Sequence, residues 1–282
     1  MCLATMSSSP RQNSSITRMQ TSEFKIQGVA GNAAPRLPNS DLPHSLFISD
    51  LHLSACHTQS MAAFLHFIAT KAPQAESLYI LGDLFDYWAG DDDKDDPFFQ
   101  QVTGALRSLY ATRVYLMRGN RDLLMGEILA THCNATLLND PTQLDLYGTP
   151  TLLSHGDTLC TDDIEYQRYR NQVNAPQFQK EFLSRPLIDR KTYIEQLRKR
   201  SNIEKQHKNI DIMDVNSSAV ADLLRDYNYP RLIHGHTHRA YRHEHLVDDH
   251  LCERWVLGDW DNGANALRVD KNNIRRETYP AG

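Results

Sequence analysis

Five short apolar runs punctuate the chain, each followed by a polar turn: Ser45 to Ser49, Ser77 to Leu81, Arg113 to Met117, Thr151 to Ser154 and Arg231 to His234. Near-continuous apolar runs of this length, bounded by Gly and Asp, predict strands covered on both faces. Between the first two, Met61, Phe64, Leu65 and Ile68 recur at i, i+3, i+4, i+7, which predicts an amphipathic helix over Thr58 to Ala72. Strand, helix, strand is the order of an α/β fold. In such sheets the carboxyl ends of the strands carry the site, so the residues after the five runs are expected to meet on one rim.

Those residues are Asp50-Leu51-His52, Gly82-Asp83, Gly119-Asn120-Arg121-Asp122, His155-Gly156 and Gly235-His236-Thr237-His238. Taken singly each is unremarkable, because Gly, Asp and Asn are ordinary turn formers after strands. Together they offer seven nitrogen and oxygen donors, enough to hold two divalent ions side by side with one carboxylate shared. Carboxylates and an amide oxygen suit Mn²⁺ or Mg²⁺, and the imidazoles favour Mn²⁺. His234 belongs to its strand and is expected to be a packed residue, not a ligand.

The same motifs identify a relative. From about Ser45 to Asn262 the pattern resembles the calcineurin-like metallophosphoesterase superfamily. It is more specifically similar to the UDP-2,3-diacylglucosamine hydrolase family of the lipid A pathway, through Gly82-Asp83-Leu84-Phe85-Asp86-Tyr87-Trp88, Gly90-Asp91-Asp92-Asp93, Gly119-Asn120-Arg121-Asp122, His155 to Asp163, Ile212 to Asn216 and Leu232 to Arg239. The resemblance implies an α/β, calcineurin-like metallophosphoesterase β-sandwich flanked by helices, with a helical lid inserted at about residues 163–210. It implies one metal on Asp50, His52, Asp83 and His238, and a second on Asp83, Asn120, His155 and His236. Two Mn²⁺ per chain are expected, with Mg²⁺ less favoured. The implied reaction is hydrolysis of the pyrophosphate of UDP-2,3-diacylglucosamine by water activated between the metals, giving UMP and 2,3-diacylglucosamine 1-phosphate.

Arg121 departs from the wider superfamily, where His commonly follows the Asn. That His can protonate a basic alkoxide leaving group. A phosphate monoester, with its second pKa at about 6, departs as an anion at neutral pH. What helps such a group is a fixed cation, and guanidinium supplies one with paired donors. The competing reading of Arg121 is a surface ion pair with Asp122.

Between His155 and Ile212 lies a segment that a bare metallophosphoesterase does not need. From Gln177 to Lys208 it carries nine basic residues against four acidic ones, a local excess of +5 in a chain of net charge -5. Phe178, Phe182, Leu183, Leu187, Ile188, Tyr193, Ile194 and Leu197 follow helical spacing, interrupted at Pro186. Composition fits two readings equally: a helical pair with a solvated charged face, or a lid that covers acyl chains and touches an anionic bilayer. The resemblance favours the lid. It also implies substrate contacts at Asn120, Arg121, Asp163, Ser201, Lys205, Lys208 and His236. Lys205 stands where the family pattern has Asn, and Asp163 also suits the N-terminus of a helix.

The remaining sequence bounds this picture. With 282 residues and 40% hydrophobic content, residues 45–282 can bury one sizeable core. Residues 1–44, rich in Ser, Asn, Pro and Gln, read as a disordered extension, and Met19 is a second candidate start. The five cysteines lack paired metal spacing and, without a secretory signal, read as reduced thiols. No run reaches the roughly 18 apolar residues of a bilayer span; the resemblance implies a peripheral location, on the cytoplasmic face of the inner membrane. Nucleic acid is not an expected partner, because the chain is acidic and the basic segment lacks interleaved stacking aromatics; no protein partner is expected either. Two other functions share the metal motif: a general phosphodiesterase or nucleotide phosphatase, and a non-catalytic scaffold. A scaffold of that kind usually lacks several ligands, and here all seven are present.

Overall fold

The computed structural model describes residues 43–205, 214–261 and 263–279, with residues 200–205 described by their backbone. The expected N-terminal extension lies outside these residues, apart from Pro43 and His44, the latter opening the first strand. Residues 206–213, including Lys208, lie outside them as well.

Strands β1 (His44–Ile48), β2 (Ser77–Leu81), β3 (Arg113–Met117) and β4 (Ala135–Leu138) form a parallel run. Helices α1 (Thr58–Thr70), α2 (Pro97–Arg107) and α3 (Glu127–His132) connect these strands. The chain then passes to a second sheet with β5 (Thr142–Leu146) and β6 (Thr149–Ser154). After helices α4 (Ile164–Asn174), α5 (Pro176–Leu183) and α6 (Leu187–Lys205), in the segment expected to form a lid, come α7 (Ser217–Asp226), β7 (Arg231–His234), β8 (Arg242–Val247) and β9 (His250–Val256). Finally β10 (Ala264–Asp270) and β11 (Ile274–Tyr279) return to the first sheet, where β10 pairs antiparallel with β1. The orders are β11-β10-β1-β2-β3-β4 and β5-β6-β7-β9-β8.

Alternation along each strand divides its apolar residues between two cores. Phe47, Tyr79, Leu81 and Met117 meet Leu153, Ile233 and Trp255 between the sheets, and Phe47, Tyr79 and Tyr115 stack with centroids 4.6 Å apart at each step. Leu46, Ile48, Leu78 and Ile80 face the other way, onto Phe64, Phe67 and Ile68 of α1. On the far side Leu152 and Leu232 cover Val220 and Leu224 of α7. Each such side chain contributes about 1.5–3 kcal/mol by leaving water, which is why the middles of these runs are apolar, while buried polar residues such as Ser45, Ser77, Thr151 and His234 stand at their ends.

The sandwich changes one expectation. The five strand ends do converge, but on the facing rims of two sheets: β1, β2 and β3 belong to one, β6 and β7 to the other. Apolar pattern identifies strands, not their partners. The lid also differs, because the expected helical pair is three helices. Its basic residues are not all directed outward either. Arg190 is 1% exposed and pairs with Asp92, Lys191 reaches Asp93 at 2.6 Å and Asp96 at 3.4 Å, and Arg198 pairs with Asp86. Asp86 and the acidic run after Trp88 thus tie α6 to the body of the fold. Among the described residues no helix is long and apolar enough to cross a membrane.

Candidate two-metal site

Five of the seven expected ligands have left-handed backbone: Asp50, His52, Asp83, His236 and His238, with φ of 56, 46, 54, 70 and 59°. Non-glycine residues rarely adopt it, and each instance costs of order 1–3 kcal/mol. The surrounding chain enforces it. Asp50 N–H donates to Gly82 O at 3.2 Å and His52 N–H to Asp83 O at 3.0 Å, so the turns after β1 and β2 are laced together. Two glycines let them approach. A Cβ on Gly119 would lie 2.1 Å from Asp83 Oδ1, and one on Gly82, at φ +89°, would lie 2.4 Å from His155 Nδ1.

The side chains meet in the resulting space. One atom from each of Asp50, His52 and His238 lies within 4.8 Å of the others, and the same is true of Asp50, Asp83 and His155. His52 Nε2 and His238 Nε2 face each other at 3.2 Å. Asn120 Oδ1 is approached by His155 Nε2 at 3.1 Å and His236 Nδ1 at 2.9 Å. Asp50 Oδ1, fully buried, makes no hydrogen bond of good geometry; His238 Nε2 lies 3.4 Å from it. Lone-pair donors converging from two rims around an unsatisfied buried carboxylate oxygen fit divalent cations.

Electrostatics agree with that fit. Burial, reinforced by Asp122 and Asp50 against the pull of His155, pushes Asp83 up to about 7. Burial would also raise Asp50, but His238, His155 and His52 outweigh it and hold that carboxyl well below its usual range. His155 rises to about 9 and His238 to about 10, because Asp83 beside the first, and Asp259 and Asp50 beside the second, overcome burial. His236, buried and next to His155, falls to about 3. With only protons to balance it, the cluster needs positive charge at its centre.

The chain also orients the ligands from behind. His155 Nδ1 donates to Leu81 O at 2.9 Å, leaving Nε2 to face inward. His238 Nδ1 lies 3.2 Å from Asp259 Oδ2. Ser49 Oγ donates to Asp50 Oδ2 at 2.5 Å, and His236 N–H donates to the same oxygen at 2.9 Å. Asp259 was not among the expected site residues, although Trp255-Val256-Leu257-Gly258-Asp259 repeats the strand, Gly, Asp punctuation of Tyr79 to Asp83. His234 packs as expected: buried, it accepts from Arg254 Nη1 at 3.1 Å.

Arg121 does not pair with Asp122. The Asp122 carboxylate is buried and accepts from the N–H groups of Gly119 at 2.8 Å, Phe85 at 3.2 Å and Asp83 at 3.3 Å. Arg121 N–H donates to Asp83 Oδ1 at 2.8 Å, and its guanidinium faces Asp86 at 3.9 Å. Asp163 caps α4, accepting from Tyr166 N–H at 3.1 Å. From α4, the Tyr166 ring lies over His236 with centroids 5.7 Å apart, and its hydroxyl donates to Asp157 at 2.8 Å. Ser201 and Lys205 lie on α6, and Lys208 lies outside the described residues.

Known proteins are similar to this chain in sequence. The profile of calcineurin-like phosphoesterases matches residues 44–240. The chain is 50% identical over 228 residues to the UDP-2,3-diacylglucosamine hydrolase of Aromatoleum aromaticum, covering 80% of this chain and 93% of that one. It is 48% identical over 230 residues to the enzyme of that name from Marinobacter nauticus, covering 81% and 94%. For the Edwardsiella ictaluri enzyme the identity is 47% over 240 residues, covering 84% and 92%. The chain therefore belongs to the calcineurin-like phosphoesterases and, among them, to the UDP-2,3-diacylglucosamine hydrolase family.

Proposed function

We propose that this chain hydrolyses the pyrophosphate bond of UDP-2,3-diacylglucosamine to UMP and 2,3-diacylglucosamine 1-phosphate, a step of lipid A biosynthesis. The observation that carries this reading is Arg121. Its backbone is fixed on Asp83, and its guanidinium pairs with Asp86, leaving Asp122 to the backbone of the same turn. A cation stands where a wider-family enzyme would place a proton donor, which suits a leaving group that is already a stable anion.

We assign one ion to Asp50, His52, Asp83 and His238 and the other to Asp83, Asn120, His155 and His236, with Mn²⁺ favoured over Mg²⁺ by the four imidazoles. Bound there, two such ions supply Lewis acidity toward phosphoryl oxygens and a lowered pKa for water. The chain does the rest. Asp83 bridges the two halves of the site, and Asn120 lies against both His155 and His236. Arg121 neutralises the departing sugar phosphate. Asp163 binds the glucosamine unit, Ser201, Lys205 and Lys208 are further substrate contacts, and α4 to α6 cover the acyl chains.

Five large apolar side chains of the lid are exposed: Ile164, Tyr169, Leu183, Ile188 and Tyr193. The exposed cations Lys180, Arg185 and Lys199 lie on the same helices and their connection. This combination supports peripheral attachment to an anionic membrane, on the cytoplasmic face of the inner membrane. The test of the reaction is hydrolysis of UDP-2,3-diacylglucosamine in ¹⁸O-water with Mn²⁺. The expected products are UMP and the sugar 1-phosphate in equal amounts, with the label in UMP. Release of UDP, or no turnover, would overturn the reading.

A further inference from the structure

Asp86 lies three residues beyond the shared carboxylate Asp83, and its side chain is only 8% exposed. Its N–H donates to Leu53 O at 3.0 Å, on the turn that carries His52, so its backbone is fixed to the site wall. The carboxylate is divided between two arginines. Oδ1 faces Arg121 Nη1 at 3.9 Å, and Oδ2 accepts from Arg198 Nη2 of α6. Arg198 in turn lies over the Tyr87 ring, 5.9 Å from its centroid.

This sharing has a physical reason. The Arg121 side chain has several rotatable bonds beyond its fixed N–H and sits beside a centre suited to cations, which would repel a guanidinium toward solvent. Arg198 adds a second positive charge nearby. A buried carboxylate between the two offsets both repulsions and gives the guanidinium a defined place. We propose that Asp86 is a positioning residue: it holds Arg121 in place for the leaving phosphate and, through Arg198, makes that placement depend on the lid being seated. This rests on the leaving-group role assigned to Arg121 above.

The experiment is a double-mutant cycle on UDP-2,3-diacylglucosamine with Asp86→Asn, Arg121→Ala and Arg198→Ala, reading kcat and KM separately. Asp86→Asn should lower kcat by about tenfold, as expected for loss of a charge-assisted contact, with bound Mn²⁺ unchanged. In the Arg121→Ala background the same change should cost less than about twofold, because its effect passes through Arg121. Asp86→Glu should recover part of the loss. Losses that multiply in the Arg121→Ala background would overturn the proposal, as would a loss that vanishes only in the Arg198→Ala background, which makes Asp86 a lid tether alone.

A readout independent of turnover separates this proposal from the reading it rests on. In ¹⁵N-labelled protein, the Arg121 Nε–H signal, assigned with Arg121→Lys, should show restricted motion in wild type and free motion in Asp86→Asn. If wild type fails to hydrolyse the substrate but this signal changes, the functional reading falls and the positioning stands. An unchanged signal overturns the positioning whatever the activity.

Discussion

At Asp83 two demands meet: the carboxylate must stay buried, and it must stay charged enough to bind cations. Burial, reinforced by Asp122 and Asp50 against the pull of His155, pushes it up to about 7, and a divalent cation bound there would return it to the ionised form. Asp83→Ala should therefore reduce turnover below about 1% of wild type, since it removes the group that the proposed site shares between both ions. Mn²⁺ should raise the Tm of wild type by more than that of the variant. Metal content, kcat and Tm with and without Mn²⁺ check this. At Arg121 the chemistry makes a different forecast. Arg121→Ala should slow the pyrophosphate reaction by about 10²-fold, and Arg121→His should not restore it, because the leaving group needs a fixed charge and not a proton. Steady-state rates for both variants decide the point. The seven ligands were legible as residues because each follows an apolar run. The role of Asp86 is not legible from its motif, because its partner Arg198 lies 112 positions away.

Among the elements, α3 shows how a role can be hidden from local sequence. Its N-cap position is Gly126, which has no side chain to offer, and Asp91 supplies the cap from another segment. Asp91 Oδ1 accepts from Gly126 N–H and Trp88 Nε1, both at 3.0 Å, while Oδ2 accepts from Ile128 N–H at 3.0 Å and Leu129 N–H at 3.1 Å. A helix of six residues has little stability of its own and depends on this carboxylate. Asp91→Ala leaves four donors without their partner and should destabilise the fold by about 2 kcal/mol. Urea unfolding measures that, with the slope unchanged. Acidic composition alone reads as a solvated loop. What it conceals is that Asp91 caps α3 while Asp92, Asp93 and Asp96 bind the lid, contacts that exist only after the chain has folded.

For the whole molecule, the strands β1, β2, β3, β6 and β7 matched the apolar runs closely, while the division into two sheets was not legible from periodicity. The lid shows the same limit. Helical spacing located it, yet Phe182 is buried, stacked at 6.0 Å on Phe178 and lying 5.6 Å from Tyr193, whereas Leu183 beside it is 41% exposed. Spacing alone does not rank these neighbours. The difference matters for any test of acyl binding, because replacing Phe182 would empty the lid's own small core and confound recognition with folding.

The informative substitutions are at the exposed positions Ile164, Leu183 and Ile188, which are 61, 41 and 69% exposed. A chain of methylenes held there gains about 0.8 kcal/mol for each CH₂ removed from water, so even partial burial should favour acylated over deacylated substrate by about 10³-fold or more in kcat/KM. UDP-N-acetylglucosamine should be nearly inert with wild type. Ile164→Ser, Leu183→Ser and Ile188→Ser combined should erode that preference while leaving bound Mn²⁺ unchanged, because the ligands stand on the sheet rims and not on α4 to α6. The same variant should sediment less with anionic vesicles, since the apolar groups beside Lys180 and Arg185 are gone. If wild type turned over acylated and deacylated UDP-sugars equally well, the lid would have no acyl-binding role, and a general phosphodiesterase would account better for the site.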